Sequence, residues 1–207
     1  LTLGIAAGIT IFSFVDAALI RPLPYADPSR LAILFESNSL GPRFHLSYLD
    51  YLDWQRQNTV FSSVDVFAPY GFLLQTPNGT ENADGTSVSA GFFRTLGASA
   101  AQGRTFSPDE GKPDNAPVTV ISHGLWQRQF GGQAAVGQTL RLNGKAYQVI
   151  GIMPPNFRFP ENADLWIPLT VPMTFKAFEA FRGFIPSFTI SARPASLSAA
   201  TWLRSCR

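Results

Sequence analysis

The chain has 207 residues, of which 45% are hydrophobic and 14% are charged, and its formal net charge is +2. This length and apolar content suit one sizeable domain or two small ones with a packed core, and they exclude a wholly disordered chain. The small net charge and the scattered Lys and Arg residues argue against a nucleic-acid partner. Cys206 is the single cysteine, which excludes an intrachain disulfide framework and a cysteine-based zinc site.

Residues 1–20 form an almost uniformly apolar segment that stops at an Arg-Pro-Leu-Pro sequence. As a helix they would span about 30 Å, which is the hydrocarbon thickness of a bilayer. Gly4 and Gly8 have the spacing that lets a second helix approach closely inside a membrane. We therefore predict a transmembrane helix over 1–20, with a cleaved signal peptide and a buried core helix as the alternatives.

The chain that follows predicts strands interspersed with short helices. Residues 31–36 follow a turn and predict a strand, and three-to-four spacing of apolar residues predicts a helix over 48–57 with Ser47 as its N-cap. Residues 61–81 are rich in β-branched and aromatic residues but contain a proline and a glycine, which indicates two strands or one bent strand. Another strand is expected over 82–88.

The middle of the chain predicts two short helices on either side of a polar loop. An apolar trio beginning at Phe92 predicts the first helix, which Gly97 ends. In the loop, Asp109 and Glu110 are expected to begin a helical turn.

A short buried strand is predicted over 118–122, directly after the polar loop. The second helix follows it and places Leu125, Trp126 and Phe130 inward. Two consecutive glycines, at 131–132, end this helix.

The clearest local pattern is a β-hairpin around the Asn-Gly pair at 143–144. Asn-Gly is the preferred pair of a type I′ turn, because both central residues need a positive φ. Strict alternation after the turn puts Val149 on one face and both Ile150 and Ile152 on the other. A short strand near 165–167 completes the pattern, which lacks a regular βα repeat and so predicts an α+β fold.

Residues 132–139, with the sequence GQAAVGQT, have glycine spacing similar to that of a phosphate-binding loop. Gln138 stands where such a loop needs Lys, and a strand follows where a helix is required. The glycines are explained more simply as turn residues. Asn78-Gly79-Thr80 matches a glycosylation sequon, and we interpret it as a hairpin turn.

The residues that could supply catalysis or bind a metal form no recognised motif. His45 and His123 lie outside any metal-binding spacing. Asp50 and Asp53 share a helix face and could act as an acid–base pair, although paired carboxylates on a solvated helix are common. We expect no catalytic residue, no cofactor and no metal.

Two aromatic sets could line a ligand groove. They are Trp126 with Phe130, and Phe157 with Phe159. Because 13% of the residues are aromatic, packing in the core is the default interpretation of both sets.

Six blocks in order over residues 1–170 resemble the MacB-like periplasmic core domain, in the form found in duplicated orphan permeases of the ABC transporter class. They read AALIRPLPYADPSRLAILFE, SYLDYLDWQRQ, VSAGFFRTLGASAAQGRTFSPDE, VTVISHGLWQRQFGG, VGQTLRLNGKAYQVIGIMPPNFRFP and DLWIPL. Residues 184–207 match this pattern poorly and are interpreted as a divergent or truncated tail.

The resemblance implies that residues 1–20 are the outer part of a first transmembrane helix. Residues 21–183 would then form a mixed α+β domain outside the bacterial inner membrane, with a porter-like part and a second small part. A separate ABC ATPase domain or subunit would drive it, and the domain itself would catalyse nothing. A homodimer or a paired permease half, and a periplasmic adaptor, are the other expected partners.

Two further hypotheses stay open at this point. One is a secreted or membrane-anchored module that binds a ligand in an aromatic groove. The other is an extracytoplasmic hydrolase that uses Asp50 and Asp53.

Overall fold

The computed structural model describes residues 31–34, 36–38, 41–44, 48–77, 79–112, 115–160, 163–170 and 188–192. The predicted span over 1–20, Gly4, Gly8 and the predicted N-cap Ser47 lie outside these residues. No helix in the described ranges is long and apolar enough to cross a membrane.

The described elements alternate strands with short helices, as an α+β fold requires. The strands are β1 (Leu31–Leu34), β2 (Glu36–Asn38), β3 (Gly41–Phe44), β4 (Ser63–Thr76), β5 (Gly79–Val88), β6 (Gln102–Gly103), β7 (Val118–Ile121), β8 (Thr139–Leu142), β9 (Lys145–Ile152), β10 (Leu165–Pro168) and β11 (Phe188–Ala192). The α-helices are α1 (Tyr48–Gln57), α2 (Phe92–Thr95) and α3 (His123–Phe130), and Pro108–Gly111 is a 3₁₀ helix. The predicted helices are confirmed, and so is the helical turn at Asp109 and Glu110.

The choice between two strands and one over 61–81 is resolved in favour of one, because β4 runs unbroken from Ser63 to Thr76. It pairs with β5 along its second half, with Thr76 opposite Gly79. Asn78 of the predicted turn lies outside the described residues, and β5 begins at Gly79, three residues before the predicted start at 82. By contrast, the single strand predicted over 31–36 is divided in two. β1 ends at Leu34, and Glu36 begins β2, which forms a separate two-stranded sheet with β3.

Part of the large sheet closes on itself. Strands β4, β5, β10, β7, β9 and β8 pair in that order, and β8 pairs back to β4, with Leu74 opposite Leu142. We call this closed set the strand ring. Closing a sheet in this way removes exposed edges and encloses an apolar interior.

Two apolar clusters pack on opposite faces of these strands. The inner cluster draws side chains from every strand of the ring, including Phe72, Leu74, Ile121 and Leu165, and adds Leu125 from α3. The outer cluster contains Phe92 and Phe93 of α2, and Trp166 lies at its centre. Alternation along β10 explains the arrangement, because neighbouring residues of a strand point to opposite faces.

The alternation predicted for β9 is wrong at its end, because Ile152 lies in the inner cluster together with Val149. The pairing of β9 with β7 shifts by one residue, from Thr119 opposite Val149 to Val120 opposite Gly151. Such a bulge adds a residue to one strand and reverses the facing of those after it. Ile150, at the shift, packs in the outer cluster.

The first half of β4 extends beyond the strand ring. There it pairs with β11, which in turn pairs with β1. Tyr51 of α1 is buried against Val64 and Val66 of β4 in a third, smaller cluster. β11 lies within residues 184–207, which we predicted from the sequence to be a divergent or truncated tail.

The Asn-Gly turn of the β8–β9 hairpin is confirmed, with φ of 51° at Asn143 and 79° at Gly144. The Asn143 side chain also joins the hairpin to β4, because Asn143 Oδ1 accepts a hydrogen bond of 2.8 Å from the Leu73 N–H. The Asn143 N–H in turn donates to the Leu73 carbonyl at 2.9 Å. One turn residue therefore helps to close the strand ring.

We expect Gly144→Ala to lower the free energy of unfolding by about 1–2 kcal/mol, the cost of a left-handed conformation for a residue with a Cβ. A Cβ at Gly144 meets nothing within 4 Å, so the backbone alone carries this cost. Gly71→Ala is the matched control, because its Cβ also meets open space and its φ is not positive. Urea unfolding of the full chain measures both, and equal effects of the two variants would contradict the explanation.

Candidate functional site

The described residues contain one buried carboxylate that sequence reasoning missed. Asp65 of β4 is only 5% exposed. Its Oδ1 accepts a hydrogen bond of 2.6 Å from Ser89 Oγ, and its Oδ2 accepts one of 2.5 Å from Thr95 Oγ1. Ser89 Oγ accepts in turn from the Val66 N–H at 3.0 Å, and Ser63 Oγ lies 2.7 Å from Thr95 Oγ1.

Gly91 completes the enclosure of this carboxylate. A Cβ at Gly91 would lie 2.5 Å from Asp65 Oδ1, so a side chain at that position would displace the acid. Both carboxylate oxygens accept hydrogen bonds from hydroxyl groups, as buried polar groups in native proteins usually do. The arrangement joins β4 to α2 and presents no free base to a substrate, so we interpret it as structural.

A second polar cluster organises the loop before β7. Arg104 donates to both carboxylate oxygens of Glu110, at 2.9 and 2.6 Å, and the Ser107 N–H donates to Glu110 Oε2 at 2.7 Å. Burial alone would raise the pKa of Glu110, but the hydrogen bonds from Arg104 and Ser107 outweigh it, and the pKa is lowered. Hydrogen bonding to Glu110 also raises the pKa of Arg104.

We expect this pair to make stability depend on acid pH. Because folding lowers the pKa of Glu110 from its ordinary value of 4.5, the stabilisation is present above that value and is lost as pH falls through the folded pKa. Glu110→Gln should therefore cost about 1 kcal/mol at neutral pH, and the cost should be smaller at a second, acid pH below 4.5. Unfolding at both pH values measures the difference, and a cost that does not change with pH would refute the assignment.

The paired acids of α1 lie on a helix, as predicted. Asp53 is 3.6 Å from Arg56 in an ion pair whose side chains are 45% and 73% exposed. His123 begins α3 with its ring edge-on to Trp126 at 5.2 Å, and His45 lies outside the described residues. Within the described ranges, no group of three or more His, Cys, Asp or Glu side chains is placed to hold a metal ion.

The segment at 132–139 forms a turn, as interpreted from sequence. Two of its backbone donors are occupied: the Gly137 N–H donates to the Val149 carbonyl at 2.7 Å, and the Gln138 N–H donates to the Ala135 carbonyl at 3.0 Å. Ala135 is fully buried, and Thr139 begins β8 instead of a helix.

The two aromatic sets belong to different clusters and form no common groove. Trp126 and Phe130 pack against the inner cluster, and Trp126 Nε1 donates to the Gln133 carbonyl at 2.7 Å. Phe157 is buried in the outer cluster with Phe159 against it. The default interpretation of these residues as packing residues is confirmed.

The described surface does contain a cleft of about 300 Å³ over the β4–β5 hairpin. Its described lining residues come from the hairpin and from the segment before β10. They are Pro69, Tyr70 and Gly71 of β4, Asp84, Gly85 and Thr86 of β5, and Pro160 and Ala163. No sequence motif marks this cleft, because its walls come from three separate segments.

The fold described above, a mixed α+β domain, is similar to those of two solved extracytoplasmic domains. The periplasmic region of MacB from Actinobacillus actinomycetemcomitans superposes with a TM-score of 0.64 at 16% identity, over 86% of this chain and 80% of that one. The extracellular domain of the noncanonic ABC-type transporter YknZ from Gram-positive bacteria gives a TM-score of 0.55 at 14% identity, over 83% and 86% of the two chains.

Sequence comparison identifies the family. Residues 1–201 match the MacB-like periplasmic core domain, and the chain belongs to that family. A macrolide export ATP-binding/permease protein MacB from Sodalis glossinidius is 27% identical over 181 residues, which are 81% of this chain and 27% of that protein. The chain thus spans about a quarter of the length of this relative.

Proposed function

We propose that this chain is the extracytoplasmic domain of an ABC-type permease subunit in a bacterial inner membrane. In this proposal the domain relays conformational change that a separate ATPase domain or subunit drives during transport or extrusion of a substrate. The family match and the ATP-binding/permease function of the MacB relative support a role in transport. The predicted span over 1–20, with Gly4 and Gly8 on a packing face, would connect the domain to the membrane.

The observation that carries the relay is the continuity of β4. Its first half pairs with β11 and packs against α1, and its second half belongs to the strand ring. A single strand of 14 residues therefore links β11 and α1 to the strand ring. Displacement of one end is transmitted to the other because a hydrogen-bonded, packed sheet has low compressibility.

The proposed topology is tested by labelling in intact cells. Gln75→Cys puts a thiol at an exposed position of β4, and Cys206→Ser removes the native one. A membrane-impermeant maleimide should label Gln75→Cys before the cells are opened, whereas a cytoplasmic marker protein stays unlabelled. Labelling only after lysis would show that the domain lies in the cytoplasm and would contradict the proposed topology.

The relay requires the whole transporter with its ATPase and a paired subunit. Spin labels at Gln75→Cys in the two subunits should change their separation on ATP binding, whereas a pair within one domain, Gln75→Cys with Gln102→Cys, should not. Loss of the ATPase's nucleotide-binding Lys should abolish the change. An unchanged separation between subunits, or a change within one domain, would contradict a rigid relay.

Hydrolysis by Asp50 and Asp53 finds no support in the geometry. Asp53 is solvated and paired with Arg56, and α1 packs through Tyr51 on β4 instead of lining the cleft. We therefore do not propose an enzymatic function for these acids.

A further inference from the structure

The turn that closes the strand ring contains an asparagine whose side-chain amide is chemically labile. Asn143 is exposed and directly precedes Gly144. Glycine has no side chain to hinder attack by its backbone nitrogen on the amide of the preceding residue. The sequence has one other Asn-Gly pair, and its Asn78 lies outside the described residues. Asn143 is therefore the described asparagine in which this chemistry is easiest.

The reaction open to this pair is intramolecular deamidation. The Gly144 nitrogen attacks Cγ of Asn143, and the bond from Cγ to the side-chain nitrogen breaks. Ammonia leaves with the proton that the Gly144 nitrogen gives up, and a five-membered imide remains. Water then opens the imide at one of its two carbonyls. One opening yields aspartate, and the other yields isoaspartate, in which the main chain continues through Cβ and Cγ.

The folded turn opposes the first step in two ways. Asn143 has φ of 51°, and the left-handed region does not include the ψ that the five-membered ring requires. In addition, Asn143 Oδ1 accepts a hydrogen bond of 2.8 Å from the Leu73 N–H, and the Asn143 N–H donates to the Leu73 carbonyl at 2.9 Å. Turning the amide toward Gly144 breaks this contact with β4. The reaction therefore requires the contact between the hairpin and β4 to open first.

We propose that Asn143 is a site of spontaneous deamidation that the closed strand ring protects and that opening of the β4–β8 pairing exposes. The isoaspartate product lengthens the main chain of the turn, so the two-residue turn and its contact with Leu73 no longer form. The modification thus converts a transient opening of the strand ring into a lasting one. The inference rests on the β8–β9 hairpin and its contact with β4, and it does not depend on the proposed transport function.

The first test compares a locked and an unlocked strand ring in one variant of the full chain. Gln75→Cys and Arg141→Cys, made together with Cys206→Ser, place two thiols opposite each other on β4 and β8, and both positions are exposed. Directly opposed residues of an antiparallel pair have a Cα separation that suits a disulfide. We expect the oxidised form to produce isoaspartate at residue 143 at least about tenfold more slowly than the reduced form.

Peptide mass spectrometry at one alkaline pH measures both rates. Asn82, which is exposed and precedes alanine, is the matched control and should stay unmodified in both forms. Asn143→Gln should remove the signal, because its longer side chain does not form a five-membered imide. Equal rates in the oxidised and reduced forms would overturn the proposal. So would the absence of isoaspartate from the reduced form over a period in which the chain unfolded in urea reacts completely.

The second test follows the product. Hydrogen exchange at the Leu73 amide is measured in the chain that carries isoaspartate at 143, purified after ageing, and in Asn143→Asp. The aspartate variant is the matched control, because it has the same charge, keeps an oxygen acceptor for the Leu73 N–H and has an ordinary main chain. We expect exchange about tenfold faster or more in the isoaspartate chain than in the variant. Equal exchange in the two chains would refute the proposed effect on the strand ring.

Discussion

Trp166→Ala is expected to lower the free energy of unfolding by about 3–5 kcal/mol, the range for removing a large aromatic side chain from a well-packed core. Trp166 is fully buried in β10, at the centre of the outer cluster. Its ring lies 5.8 Å from that of Phe93 and 5.3 Å from that of Phe157, in edge-to-face arrangements with both. The substitution would thus leave a cavity bounded by rigid rings that cannot collapse into it.

Two further variants distinguish the loss of packing from the loss of the Trp166 hydrogen bond and from the loss of a tryptophan elsewhere in the chain. Trp166→Phe keeps much of the ring contact but loses the hydrogen bond of 3.1 Å that Nε1 donates to the Phe159 carbonyl, so we expect about 1–2 kcal/mol. Trp54→Ala, on α1, removes a tryptophan that is 37% exposed and should cost under about 1 kcal/mol. Equilibrium unfolding in urea orders the three, and a Trp54→Ala cost equal to that of Trp166→Ala would contradict the assigned core.

Local signals in the sequence were sufficient for most of the elements. The Asn143-Gly144 turn was predictable because two consecutive positive φ values select that dipeptide. The end of α2 was predictable for a related reason: Gly97 has φ of 65°, and the N–H groups of Gly97 and Ala98 donate to the carbonyls of Arg94 and Phe93. This hydrogen-bond pattern is the Schellman motif, which favours glycine strongly.

Closure of the strand ring was not predictable from the same signals. It depends on the pairing of Leu74 with Leu142 and on the parallel pairing of β10 with β5, which join residues far apart in sequence. Alternation of apolar and polar residues shows that a strand has a buried face, but it does not show which other strand pairs with it. The bulge at Ile150 was missed for a similar reason, since it arises where β9 meets β7 and not from β9 itself.

The candidate sites also divide into those that local sequence predicts and those that depend on strand pairing. Sequence reasoning correctly treated the glycines at 132 and 137 as turn residues, and both have positive φ. It missed the cleft, because Gly71, Asp84 and Thr86 look unremarkable in sequence until β4 and β5 pair them. It also missed Asp65, whose one signal is an acid within the apolar run Val64–Phe67 of β4.

Gly91→Ala and Asp65→Ala are each expected to destabilise the chain strongly, and the double variant is expected to recover part of the loss. Asp65→Ala leaves the hydroxyls of Ser89 and Thr95 without their acceptor, at a cost of about 2–4 kcal/mol. Gly91→Ala brings a methyl group to 2.5 Å from Asp65 Oδ1 and should cost about 2 kcal/mol, although its φ of −81° suits any residue. In the double variant the methyl group enters the space that the carboxylate vacates.

The two substitutions should therefore be non-additive, with a coupling of about 1–2 kcal/mol in favour of the double variant. Gly124→Ala in the first turn of α3 is the matched control, because the nearest atoms to its Cβ are 3.7 Å away and a helix favours alanine over glycine. It should be neutral or stabilising, and additive with Asp65→Ala. Urea unfolding of the wild-type chain and these variants measures the cycle. Additive costs for Gly91→Ala and Asp65→Ala would show that the close approach at Gly91 relaxes without moving the carboxylate, and that this residue is not what encloses Asp65.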